Sequence, residues 1–254
     1  MIDNLIFNTD ITLKYHNNSQ KIRIMSENWM CNNSYCPCCG ASLFRYPNNK
    51  PVADFYCSSC CEDFELKSKQ NKLGIKIADG AYNTMIERLS SDKNPHFFFM
   101  TYQNYEVKDL VLVPKHFFTK SLIEKRKPLA DNTRRAGWVG CNILLSQVPE
   151  SGKIFYIKDK CITNPNEVLI RFQKTLFLRD KSGDLKGWLL DVMKCIDKLQ
   201  KQTFYLEDIY QFEKALQLKH PNNNFIKDKI RQQLQYLRDK GYLDFKGRGK
   251  YEVI

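Results

Sequence analysis

The segment "DFYCSSCCEDFELK", residues 54–67, sets an acid, Asp54, and a Glu-x-Lys triplet, Glu65 and Lys67, around a Cys-x-x-Cys pair, Cys57 and Cys60. Two chemistries follow from the residue types. Carboxylate oxygens suit a hard divalent cation, and an adjacent lysine offers a positive charge to an anionic transition state. Thiolates suit zinc instead. A second Cys-x-x-Cys pair, Cys36 and Cys39 in "CPCCG", lies upstream with 17 residues between the pairs. That spacing fits a closed, structural four-thiolate zinc site. Cys38 and Cys61 adjoin the preferred ligands and Cys31 is near, so the zinc register stays open, with two intervening residues on each side preferred.

The elements around these residues explain their interleaving. Residues 52–56, "VADFY", and 63–68, "DFELKS", read as two strands joined by the cysteine turn. Side chains alternate along a strand, so Phe64 and Leu66 face a core while Glu65 and Lys67 share the opposite face. Zinc would pin the hairpin and set the distance from Asp54 to Glu65. The thiolates hold a scaffold and the carboxylates are free for chemistry.

Asp54, then ten residues, then Glu65-x-Lys67 resembles the catalytic motif of the PD-(D/E)xK nuclease superfamily, with Ala53 where the family name has Pro. The segments "SYCPCCG", "NNKPVADFYCSSCCEDFELKSK", "DGAYNTM", "RRAGWVGCN", "LSQVP", "IRQQLQYLRDKG" and "FKGRGKY" are similar to those of DpnI-like methylation-dependent type II restriction endonucleases. The resemblance runs over nearly the whole chain. It implies magnesium held by Asp54, Glu65 and the backbone carbonyl of Leu66. It implies that Lys67 polarises or helps deprotonate the attacking water and stabilises charge on the scissile phosphate. The substrate it implies is double-stranded DNA with N6-methyladenine in GATC.

Elsewhere in residues 1–181 the pattern is α/β. "HFFFMTY" and "DLVLVP" read as consecutive core strands, with a helix over residues 80–90 packing on them. Asn164 and Pro165 make a helix start, cap then Pro, for a helix through "NEVLIRFQKTLFL". Residues 179–184, "RDKSGD", are the expected linker. Residues 182–254 read as a winged helix. Its helices are "WLLDVMKCIDKL", "TFYLEDIYQFEKAL" with Thr203 as cap, and a third with apolar Ile226, Ile230, Leu234 and Leu237, ending at Gly241. "YLDFKGRGKYEVI" supplies two short strands. A third helix of this kind enters the major groove, and its polar face offers Lys227, Lys229, Arg231, Gln232, Gln233 and Arg238 to DNA, with Arg248 in the basic hairpin. Trp138 in "RRAGWVGCN" offers a flat apolar surface to the methyl of a modified adenine, with Arg134 and Arg135 beside it for phosphates or guanine. Trp29 and Trp188 read as core.

A formal net charge of +12 and a pI near 9.1 make an anionic polymer the natural partner. No secretory signal and no apolar run long enough to span a bilayer is evident, so a cytoplasmic protein without a membrane partner is expected. In a reducing compartment clustered cysteines bind metal rather than each other. Cys141, Cys161 and Cys195 are scattered and read as small buried apolar residues. The expected whole is a monomeric α/β nuclease with an embedded zinc site, followed by a winged helix. The rival reading is a zinc-containing winged-helix DNA-binding regulator without catalysis, which would have no use for Asp54, Glu65 and Lys67 together.

Overall fold

A computed structural model describes residues 2–47, 53–91, 94–181 and 183–254. The chain divides into two compact units, one of residues 1–146 and 151–175, the other of residues 147–150 and 176–254. Val52, the first residue of the expected strand 52–56, and Ser182 in the expected linker lie outside the described residues.

After a 3-10 turn at Asp10–Thr12, the first unit has α1 (Asn18–Asn33), whose cap Asn17 accepts the N–H groups of Ser19 and Gln20. There follow β1 (Phe44–Arg45), β2 (Phe55–Tyr56), β3 (Asp63–Gln70), β4 (Lys76–Ala81), α2 (Tyr82–Ser90), β5 (His96–Gln103) and β6 (Glu106–Val113). The unit closes with β7 (Ile123–Lys125), β8 (Gly140–Leu144), β9 (Ile154–Lys158), β10 (Cys161–Ile162) and α3 (Pro165–Gln173). Among the described residues these strands form a seven-stranded sheet in the order β1-β2-β3-β5-β6-β9-β10 and a second sheet β4-β8-β7. The pair β3–β5 is parallel, Glu65 lying opposite Phe97 and Lys67 opposite Phe99. Phe97, Phe98, Phe99 and Met100 are wholly buried. A strand apolar on both faces must be covered on both, which explains a central place for "HFFFM" and the hydrophobic run that announces it.

Several expectations hold. β5 and β6 are the core strands, Asn164 caps α3 through Asn166 N–H with Pro165 following, and Trp29 and Trp188 are buried. Others change. α2 starts at Tyr82, because Asp79 to Ala81 pair with β8, and it packs on the second sheet, against β4, β7 and β8. α3 stops at Gln173, where the Thr175 hydroxyl bonds the Phe172 carbonyl, and Leu176–Leu178 form a separate 3-10 turn. Cys161 is exposed, because β10 is an edge strand, whereas Cys141 and Cys195 are buried.

The second unit contains α4 (Gly183–Leu199), β11 (Thr203–Tyr205), α5 (Leu206–Tyr210), α6 (Glu213–Lys219), α7 (Ile226–Asp239), β12 (Leu243–Gly247) and β13 (Lys250–Val253). Gly183 and Asp184, expected in a linker, open α4. The single helix expected over residues 203–216 is instead a strand and two short helices. Phe204 is wholly buried and pairs with Tyr251, so Thr203 is a strand residue and not a cap. The helix start falls later, where the Asp208 carboxylate accepts the Tyr205 N–H at 2.7 Å. α7 buries Ile226, Ile230, Leu234 and Leu237 as its spacing requires, and Gly241 follows with φ +70°. The sheet order β11-β13-β12 completes a helix-turn-helix unit with its wing. Among the described residues no helix is long and apolar enough to cross a membrane.

Candidate active site and metal centre

Two turns of the same shape bring the cysteines together. The Cys36 N–H donates to the Ala41 carbonyl and the Gly40 N–H to the Cys36 carbonyl. Twenty-one residues on, Cys57 and Cys61 repeat the pattern, with N–H donors to Glu62 and Cys57 carbonyls. Each turn ends in a left-handed residue, Gly40 at φ +77° and Cys61 at φ +59°. The equivalence sets Cys61 apart from the paired cysteines. Cys61 occupies the place of Gly40, exposed and outside the cluster, while the sulfurs of Cys36, Cys39, Cys57 and Cys60 all lie within 4.8 Å of one another. Cys36 meets Cys60 and Cys39 meets Cys57, each at 3.4 Å. A tetrahedral ion with Zn–S bonds of about 2.3 Å needs sulfurs about 3.8 Å apart, so the set fits a metal such as zinc. Burial opposes ionisation at Cys57, yet the Cys60 N–H, the Cys39 thiol and the Ser59 N–H draw it down to about 7. Donors of this kind favour the thiolate a metal requires.

The turn at Cys57 joins β2 to β3, so it sets the spacing of the acidic residues on either side. The Asp54 N–H donates to the Phe64 carbonyl at 2.9 Å, and the Asp54 carboxylate accepts the Leu66 N–H at 2.8 Å. Ala53, at the position named for Pro, is buried. Glu65 and Lys67 share one face, as alternation requires, with Lys67 Nζ 2.5 Å from Glu65 Oε1. Phe64 is wholly buried on the other face, while Leu66 is only half-buried. Asp54, Glu65 and Lys67 therefore converge. Burial raises the Asp54 carboxyl above its ordinary value; the Leu66 N–H opposes that, and the neighbouring charges of Glu65 and Glu27 add to it. A carboxyl whose charge is opposed by burial and by neighbouring acids is one that a divalent cation relieves.

Three further residues enter the site with no local signal in the sequence. Glu27, from α1, is buried between Arg23 and Arg45, each 2.6 Å away. Arg88, from α2, grips Glu65 Oε2 at 2.6 Å. Asp79, from β4, meets Lys67 Nζ at 2.5 Å with its side chain 3% exposed. Burial opposes the Lys67 charge, but Glu65 and Asp79 outweigh it and hold the ammonium well above its ordinary pKa.

Trp138 sits half-buried in the long turn between β7 and β8. Its ring packs so closely on Gly140 that a Cβ there would lie 2.7 Å away, and the Arg135 guanidinium covers it, 4.7 Å from the ring. Arg134 and Arg135 are exposed. On α7, Lys229 bonds Gln232 at 2.7 Å, and Arg231 Nε meets the Tyr210 hydroxyl at 2.5 Å. Arg231 and Gln232 are exposed, and Arg248 is exposed in the turn between the wing strands. Gln233 departs from expectation. It is buried at 6% exposure, on the inner side of α7 beside Leu234 and Leu237, because positions 226, 230, 233, 234 and 237 form one helical face.

A family model described as DpnI, the Dam-replacing family, matches residues 3–181, and one described as the Dam-replacing HTH domain matches residues 184–253. The chain belongs to the Dam-replacing family. The large α/β sheet with its cysteine cluster and the helix-turn-helix unit with its wing correspond to these two matched stretches. As a member of the Dam-replacing family the chain is an endonuclease that binds DNA. The positive charge of +12 and the exposed cations of α7 suit that partner.

Proposed function

We propose that the chain is a type II restriction endonuclease that hydrolyses phosphodiester bonds of double-stranded DNA where GATC carries N6-methyladenine. The observation that carries the catalytic reading is the convergence of Asp54, Glu65 and Lys67 on a hairpin whose turn belongs to the cysteine cluster. Asp54 and Glu65 supply carboxylate oxygens for magnesium, with the Leu66 backbone carbonyl as a further oxygen. Magnesium bound there supplies positive charge at the scissile phosphate and lowers the pKa of water. Lys67, held protonated, presents a fixed cation to the pentavalent phosphorus. Water gives up a proton to solvent as it forms the new bond to phosphorus, and the leaving sugar oxygen takes up a proton from solvent as its bond breaks. Zinc on Cys36, Cys39, Cys57 and Cys60 is structural, since a four-thiolate set leaves no open position.

The nuclease chemistry belongs to the part of the chain up to residue 181, and residues 182–254 serve as the winged-helix DNA-binding domain. Lys229, Arg231, Gln232 and Arg248 reach phosphates and base edges there. Gln233, being buried, supports α7 from behind. Trp138 meets the adenine methyl, an apolar group in the major groove that a flat ring accommodates and a hydrogen-bond donor does not. Arg134 and Arg135 hold the adjoining phosphates or guanine. The enzyme acts as a monomer in the cytoplasm.

Digestion of paired plasmids, one from adenine-methylating cells and one from cells lacking that methylase, tests the reading with and without magnesium. Cleavage of the methylated plasmid alone, and only with magnesium, is expected. Equal cutting of both, or none of either, overturns it.

A further inference from the structure

Asp79 opens the segment "DGAYNTM", to which the reading above gives no role. Its side chain is buried, and it comes from a different sheet than the motif residues. A buried carboxylate is stable only when paired, and Asp79 Oδ1 is paired with Lys67 Nζ at 2.5 Å. Its backbone is firmly placed. β4 pairs with β8 from Lys76 to Asp79, Asp79 lying opposite Cys141, and a bulge separates Asp79 from Ala81. Bulges re-aim side chains where a regular strand would not.

Among the described residues two carboxylates pair with Lys67, Glu65 and Asp79, and they are not equivalent. Glu65 already divides its oxygens between Lys67 and Arg88, and in the proposed reaction it also faces the divalent cation. Asp79 lies outside that arrangement. Among the described residues, the four cysteines are the one group of three or more metal-ligating side chains whose atoms lie within 4.8 Å of one another, so Asp54, Glu65 and Asp79 do not form a common cation nest. We infer that Asp79 is a positioning residue: it holds Lys67 aimed at the phosphate when Glu65 turns to the cation. This rests on the proposed catalytic role of Lys67 and extends it to a residue of the second sheet.

The test uses the full chain with Asp79→Asn, Asp79→Ala and Lys67→Ala, assayed on a methylated duplex with magnesium. Asp79→Asn keeps the shape and an oxygen acceptor but not the charge, whereas Asp79→Ala removes both. Misplacing a catalytic group by about 1 Å costs on the order of 100-fold. Asp79→Ala should therefore lose roughly 100-fold in kcat and Asp79→Asn less, with KM, zinc content and duplex affinity without magnesium unchanged. A graded loss confined to kcat supports positioning. Loss of zinc or of duplex affinity alongside kcat would mean a merely structural role and overturn the inference. Both Asp79 variants within twofold of wild-type kcat, with Lys67→Ala inactive, sinks the inference alone. A fully active Lys67→Ala sinks the catalytic reading and this inference with it.

Discussion

Cys61 and Cys57 stand four residues apart in one turn, yet opposite results are expected from replacing them. Cys61 holds φ +59° in the place that Gly40 fills in the matching turn. A left-handed non-glycine residue costs about 1–2 kcal/mol. Glycine relieves that strain but adds roughly 0.5–1 kcal/mol of unfolded-state entropy. Cys61→Gly should therefore gain about 0.5–1 kcal/mol, raising the melting temperature by about 1–2 °C for a chain of this size. Its zinc content should stay at one ion per chain. Cys57→Ser removes a thiolate from the cluster. If about 10–16 kcal/mol of apparent zinc affinity is shared among four ligands, the loss is about 3 kcal/mol, enough to empty the site against a mild chelator. The described residues between Cys36 and Glu62 then keep only protein contacts, among them the two-residue ladders of β1 and β2 and the turn hydrogen bonds. The assays are elemental analysis and thermal melting of both variants beside wild type. Zinc lost from Cys61→Gly, or kept at full occupancy in Cys57→Ser, would refute the register argued from the paired turns.

Asp54→Ala should abolish cleavage while leaving affinity for the methylated duplex within a few-fold, since the proposed role is cation binding and not base contact; full cutting by this variant ends the assignment. Leu234→Ala, at a wholly buried position of α7, should cost about 3 kcal/mol and weaken duplex binding with the fold, as read by denaturant titration and fluorescence anisotropy. Replacing Trp138 by Ala should narrow the affinity gap between methylated and plain duplexes of one sequence, and an unchanged gap would assign methyl reading to α7 and the wing. Raising salt should weaken binding to both duplexes steeply, because cations such as Lys229 and Arg248 displace counterions, whereas the methyl preference should persist, being apolar contact; a preference that vanishes with salt contradicts this.

What the sequence determined by itself is whatever depends on short spacing. Two Cys-x-x-Cys pairs, an alternating "DFELK", the unbroken run "HFFFM" and the 226-230-234-237 period each encode their structure within a dozen residues, because strand alternation, helical pitch and a two-residue knuckle are local geometry. Where two local codes competed, tertiary structure chose. Thr203 to Tyr205 carry helix-like neighbours, but pairing of Phe204 with Tyr251 across the sheet made them a strand. Gln233 looks as polar as Gln232, and only the packing direction of α7 shows that it is buried. Spacing alone left open which cysteines cluster, and the structure brings the sulfurs of Cys36, Cys39, Cys57 and Cys60 within 4.8 Å of one another. Apart from Glu65, the partners of the catalytic motif were beyond the sequence. Asp79 and Arg88 reach the acidic hairpin from another sheet and another helix, and the charge of Glu27 bears on Asp54 from a helix that precedes both, so no spacing along the chain could announce them. Charge pairing in a buried site depends on distances of a few ångströms in space, and separation along the sequence carries no record of those.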